Sequence, residues 1–83
     1  MNIVEVNKRL KPIFKEVCGD RYDATKCLWQ MRLTDDECIN LMCLLDDEFH
    51  TNFVDMELSV FQAMCFYDIA VYINHQTKNL SLK

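Results

Sequence analysis

Gly19 and Pro12 are the only glycine and proline among the 83 residues of this chain. So few turn-forming residues leave little means of reversing direction tightly, as the hairpins of a sheet require. The apolar residues recur instead at spacings of three and four, the period of a helix with one buried stripe. The pattern predicts an all-α fold, a small four-helix bundle with three longer helices and one short helix before the last. Residues 1–83 form a single domain in this reading, with no internal repeat and no low-complexity linker.

Ile3, Val6, Leu10, Ile13, Phe14 and Val17 mark the buried stripe of a first helix. Pro12 lies within it and should either kink the helix or open a shorter one, because proline removes a hydrogen bond and crowds the preceding turn. Lys15 falls in the last turn, and Gly19 is placed to cap it with a left-handed backbone. Residues 20–33 carry possible caps in Asp20, Asp23 and Thr25 but no long apolar period. They read as an ordered connection with about one helical turn, Leu28, Trp29, Met31 and Leu33 packing down and Trp29 covering the core as a lid.

The second helix is the most clearly signalled. Thr34 is a favourable N-cap and Glu37, three residues on, completes a capping box, while Asp35 and Asp36 meet the positive end of the helix dipole. Cys38, Leu41, Met42, Leu45 and Phe49 share about a third of the circumference and form its core face. Outside that arc Ile39, Cys43 and Leu44 alternate with Asp36, Glu37, Asn40, Asp47 and Glu48. After a loop at His50–Asn52, Val54–Leu58 reads as a short helix. Ala63, Phe66, Ile69, Ala70 and Ile73 then mark a final helix ending near Asn74 and His75, with residues 76–83 as a frayed tail.

Composition narrows the function. The apolar fraction of 51% is ample for a core at this length, where folding buries about 60–65% of the unfolded chain's surface. No apolar run exceeds five residues, too short to span a bilayer. Met1–Lys11 lacks a signal-peptide apolar centre, so a cytoplasmic location and no membrane insertion are expected. Five cysteines, an odd number without a C-x-x-C pair, point to free thiols acting as small hydrophobes. A zinc site from Cys38, Cys43 and His50 is disfavoured because residues five apart on a helix diverge. A calcium loop needs a glycine turn that the acidic stretches lack. His50 and His75 have no nucleophile arranged around them, and paired carboxylates in solvated clusters are poor catalysts, so the chain is not expected to be an enzyme.

Charge is unevenly distributed. Residues 1–32 hold seven Lys/Arg against four Asp/Glu, and residues 33–83 hold two against nine. From Leu33 to Thr77 no cation occurs, yet the segment includes Asp35-Asp36-Glu37 and Asp46-Asp47-Glu48. Such a surface repels phosphate backbones, which argues against nucleic acid. It suits a basic face of a protein partner, with apolar contacts for affinity and charge for steering.

Several stretches, taken in order, resemble the acyl carrier protein family. "DECINLMCLLDDEFHTNF", starting at Asp36, is similar to the family's second helix and following loop. "VDMELSVF" from Val54 resembles its third-helix region, and "FYDIAVYI" from Phe66 resembles its closing Val-x-Asp-Leu-x-x-Tyr-Ile. The likeness covers Leu33–Ile73, about half the chain. In that family a serine at the start of the second helix carries 4′-phosphopantetheine through a phosphodiester. Counting back from Phe49, that position is Asp35 here, and a carboxylate offers no hydroxyl to a phosphopantetheinyl transferase. Arg32 replaces the usual preceding glycine, Asp36 a partner-facing leucine, and Cys65 the threonine that commonly caps the last helix.

The resemblance therefore implies a carrier-like monomer without its attachment residue and with no cofactor expected. It would dock through Asp36, Glu37, Ile39, Cys43, Leu44, Asp46, Asp47 and Glu48, the last three aligning with the family's partner-binding acidic triplet. The implied partner is a basic surface, such as that of an enzyme of acyl or polyketide metabolism. Two alternatives remain open at this point. One is a working carrier using a non-standard attachment residue such as Thr34 or Cys38; the other is a structural helical subunit.

Overall fold

The computed structural model describes residues 2–81, with side chains through residue 77. Four α-helices, α1 (Ile3–Cys18), α2 (Asp35–Phe49), α3 (Leu58–Gln62) and α4 (Phe66–Ser81), are joined by 3₁₀ turns at Gly19–Arg21, Leu28–Met31 and Phe53–Asp55. No strand occurs among the described residues. The architecture is all-α, with three long helices and the short α3 before the last.

Asn2 opens α1 by accepting the Glu5 amide at 2.9 Å, which satisfies one of the unpaired N–H groups of the first turn. The helix runs unbroken through Pro12, which is exposed. Pro12 thus neither starts a new helix nor ends this one, although it offers no N–H to the carbonyl one turn back. Gly19 ends α1, its N–H donating to the Lys15 carbonyl. Its φ of 58° is positive, as a C-cap glycine allows, but ψ of −131° lies outside the left-handed helical region. No atom would meet an added Cβ there, so the backbone angle and not crowding favours glycine.

The core is where α1, α2 and α4 meet. Val6, Leu10 and Phe14 from α1, Leu41, Leu45 and Phe49 from α2, Phe61 from α3, and Ile69, Ala70 and Ile73 from α4 are buried, with Leu28 and Phe53 from the connections. Burying each large apolar side chain stabilises the fold by about 1.5–3 kcal/mol, most of it offset by chain ordering. Phe14, Tyr22 and Phe66 form an edge-to-face triad with centroids 5.1–6.2 Å apart, the arrangement that ring quadrupoles favour. Phe53 bridges Phe61 and Tyr72 at 5.5 and 4.7 Å.

Four expectations are corrected. Trp29 is 61% exposed and is not among the residues packed against the core; Leu28 and Met31, on either side of it in the 3₁₀ turn, are the residues that enter the core. Residues 20–33 contain two 3₁₀ segments rather than about one turn. The short helix is Leu58–Gln62, while Phe53–Asp55 is a 3₁₀ turn; Glu57 is extended, which separates the two. The last helix starts at Phe66 and continues past His75 to Ser81, with Ala63 instead closing α3. Residues 82 and 83, the end of the proposed tail, lie outside the described residues.

Candidate functional site

The candidate site is the surface of α2, and its local order begins with the cap. Thr34 Oγ1 accepts the Glu37 amide at 3.1 Å and Glu37 Oε1 accepts the Thr34 amide at 2.9 Å. This is the reciprocal capping box expected from the sequence. Leu33 before the cap and Cys38 at the fourth helical position are both buried, which fixes the entry of the chain into the helix. Cys38, Leu41, Met42, Leu45 and Phe49 are the buried residues of α2, matching the predicted core face.

The carboxylates of α2 do not behave as one group. Glu37 accepts two bonds from Arg21, Nη1 to Oε1 at 3.1 Å and Nη2 to Oε2 at 2.5 Å. The Arg21 guanidinium, aided by the Thr34 amide, holds the Glu37 carboxyl down at about 2. At the other end Glu48 accepts from Arg9 Nε at 2.8 Å, while Arg9 Nη2 also donates to the Glu48 backbone carbonyl at 3.0 Å. Arg9 lies 5.1 Å from the centre of the Phe49 ring, a cation–π distance. Both arginines come from the first 32 residues. The acidic helix is therefore partly neutralised within its own chain, from outside the cation-free stretch.

Asp46 is also turned inward. Its Oδ1 accepts from Thr51 Oγ1 and the Phe53 amide, both at 2.7 Å, and its Oδ2 accepts the Val54 amide at 3.1 Å. It organises the loop after α2 and is half-buried, which corrects the view of Asp46–Glu48 as a uniformly solvated triplet. Asp35 Oδ1 accepts from Gln62 Nε2 of α3 at 2.9 Å.

The remaining positions form one stripe. With Asp36 as origin and about 100° per residue, Ile39, Asn40, Cys43 and Asp47 lie within roughly 60° of it on either side, opposite the core face. All five are exposed, Ile39 to 47%. Asp36 and Asp47 have no side-chain partner among the described residues, and they stand about 16 Å apart along the axis. Leu44, at the margin, is half-buried. The bonded carboxylates, Asp35, Glu37, Asp46 and Glu48, occupy the two flanks, where neighbouring elements come within reach.

Asp35 presents a carboxylate, with no hydroxyl for a phosphodiester, so the position does not fit phosphopantetheine. The substitutes fare no better. Cys38 is fully buried, its thiol pushed up by desolvation, and Thr34 Oγ1 is committed to the cap. Cys38 faces the core while Cys43 and His50 are exposed. Among the described residues no three His, Cys, Asp or Glu side chains converge as metal ligands. No helix there is long and apolar enough to cross a membrane. A cavity of about 400 Å³ opens between Asp20 and Arg32, in the connection before α2.

Comparison with protein-family models, with curated proteins and with solved structures gave no match.

Proposed function

We propose that this chain is an acyl-carrier-like docking module that carries no prosthetic group and performs no catalysis of its own. It binds a basic face of a protein partner through the outward stripe of α2. The observation that carries this reading is the division among the α2 carboxylates: those on the flanks are bonded within the chain, whereas Asp36 and Asp47 stay unpaired around Ile39 and Cys43. Charges that merely kept the protein dispersed would have no reason to bracket exposed apolar side chains. An apolar centre with an acidic rim matches the usual anatomy of a recognition patch. The element order and the likeness of Leu33–Ile73 to acyl carrier proteins support the carrier-like part, and Asp35 supports the loss of carrying.

The test has two arms. Incubation with coenzyme A and a broad-specificity phosphopantetheinyl transferase should leave the intact mass unchanged; a gain of one phosphopantetheine overturns the non-carrying reading. For docking, ¹⁵N-labelled protein is titrated with a Lys/Arg-rich amphipathic helical peptide. Amide shifts should centre on Asp36, Ile39, Asn40, Cys43 and Asp47 and shrink with added salt and in Asp36→Asn/Asp47→Asn. Shifts centred elsewhere, or insensitive to that double substitution, refute the assignment.

A further inference from the structure

Cys27 and Cys65 are distant in sequence but pair in an isolated antiparallel bridge. The bridge joins the residue before the second 3₁₀ turn to the residue before α4. Beside it the Leu28 amide donates to the Met64 carbonyl at 3.0 Å. A bond from the residue after one member to the residue before the other flanks a non-hydrogen-bonded pair. At that site opposed Cα atoms stand about 4.5 Å apart. Both side chains leave on the same face, with Cβ atoms about 4.5–5.5 Å apart. Disulfides span Cα separations of about 4.4–6.8 Å, which this pairing meets, and Cβ separations of about 3.5–4.5 Å, so closure needs only a small inward tilt of the two residues.

We propose that Cys27 and Cys65 are a site of reversible covalent cross-linking, closed into an intramolecular disulfide by a small-molecule disulfide. The thiolate of one cysteine attacks the oxidant's S–S bond, forming a mixed disulfide and releasing one small thiolate. The second cysteine then attacks the protein sulfur of that mixed disulfide and releases the other. The two protein thiols give up two electrons to the oxidant, and their two protons end on the released thiolates. Cys65 Sγ lies 3.3 Å from Asp68 Oδ2, a carboxylate placed to accept its proton. The Cys27 amide donates to Gln30 Oε1 at 3.0 Å and the Cys27 carbonyl accepts the Gln30 amide at 3.0 Å, which hold its backbone at the bridge.

The other three cysteines are less suited. Cys18 and Cys38 are buried, and desolvation raises both thiols, which lowers the reactive thiolate fraction. Cys43 is exposed on the outward stripe of α2. Cys27 and Cys65 are half-buried, open to a small reagent yet held by main-chain pairing. The cross-link would enclose all of α2 and α3 and tie the long connection to the start of α4.

The reduced 83-residue chain, kept dilute, is treated with oxidised glutathione, and the remaining thiols are then alkylated. The expected product has lost two hydrogens and carries three alkyl groups. Cleavage after Lys/Arg and after Glu yields peptides holding Cys27 alone and Cys65 alone, and these two should be linked. The midpoint of thermal unfolding should rise by about 10 °C, a shift absent from Cys27→Ser and Cys65→Ser but kept in Cys43→Ser. Five alkylated thiols, a stable glutathione adduct that does not close, a Cys18–Cys38 link, or dimers through Cys43 alone would each overturn the proposal. Peptide mapping of the unaltered chain decides the matter even if a serine variant fails to fold.

Discussion

Arg21 and Glu37 are joined by two parallel hydrogen bonds, at 3.1 and 2.5 Å, that tie the turn after α1 to the first turn of α2. Arg21 also donates to the Arg32 carbonyl at 3.1 Å and to the Cys18 carbonyl at 3.3 Å. One guanidinium therefore gathers the end of α1, the end of the long connection and the cap of α2. Forked geometry of this kind is what arginine provides and lysine does not.

The pH dependence follows from Glu37. Its carboxyl is held at about 2 against an ordinary value of 4.5, so the unfolded chain takes up this proton more readily than the folded one. Its contribution is fully present above about pH 5 and is lost as the pH falls towards 2. Glu37→Gln keeps a side-chain oxygen for the Thr34 amide but removes the charge. Thermal melts from pH 7 to pH 2 should show a shallower acid decline for this variant. An acid limb identical to that of the parent would contradict the role given to the pair.

Asp46 and Asp47 should separate structure from recognition. Asp46→Ala strips three bonds from the loop at Thr51–Val54, and each leaves a donor to find water. The expected cost is about 2–3 kcal/mol in denaturant unfolding. Asp47→Asn should change stability by less than about 0.5 kcal/mol while weakening a basic partner. Equal stability losses in the two variants would show that this division is wrong.

Two backbone positions leave room for stabilisation. His50 caps α2 with φ 57° and ψ 42°, a left-handed conformation that glycine adopts without its Cβ penalty. His50→Gly should stabilise the protein by about 0.5–1 kcal/mol. Pro12→Ala restores an amide to the exposed face of α1 and should add about 1–3 kcal/mol. Chemical denaturation measures both, and a loss of stability in either would show that the native residue makes a compensating contact.

Thiol reactivity should follow burial. With excess aromatic disulfide reagent, Cys43 should react first and Cys18 and Cys38 last, since both are buried and raised by desolvation and only the thiolate attacks. Fast modification of Cys38 in the folded protein would instead reopen it as an attachment residue.

The second helix was legible in detail because its determinants are local. Thr34 and Glu37 lie one turn apart, and the spacing of Cys38, Leu41, Met42, Leu45 and Phe49 alone defines the core face. Boundaries near residues 53–66 were not, since Phe53 and Phe61 are both buried and apolar spacing cannot show that the first lies in a 3₁₀ turn and the second in α3. Trp29 misled for a related reason. Apolar character predicts burial, but in a short 3₁₀ turn only Leu28 and Met31 are carried inward. The bridge between Cys27 and Cys65 left no trace in the sequence, because main-chain pairing across such a separation depends on where the helices place the two segments.

The sequence by itself determined the all-α class, the cap and both faces of α2, and the acidic, cation-free character of the stretch from Leu33 to Thr77. These depend on contacts within one turn of helix, where geometry follows from residue spacing. Only the tertiary structure decided which carboxylates remain available. Packing α1 against α2 brings Arg21 to Glu37 and Arg9 to Glu48, the loop turns Asp46 inward, and α3 brings Gln62 to Asp35. Among the described residues of α2, Asp36 and Asp47 are the carboxylates left without a side-chain partner, because an ion pair forms only where the fold carries two distant side chains within reach.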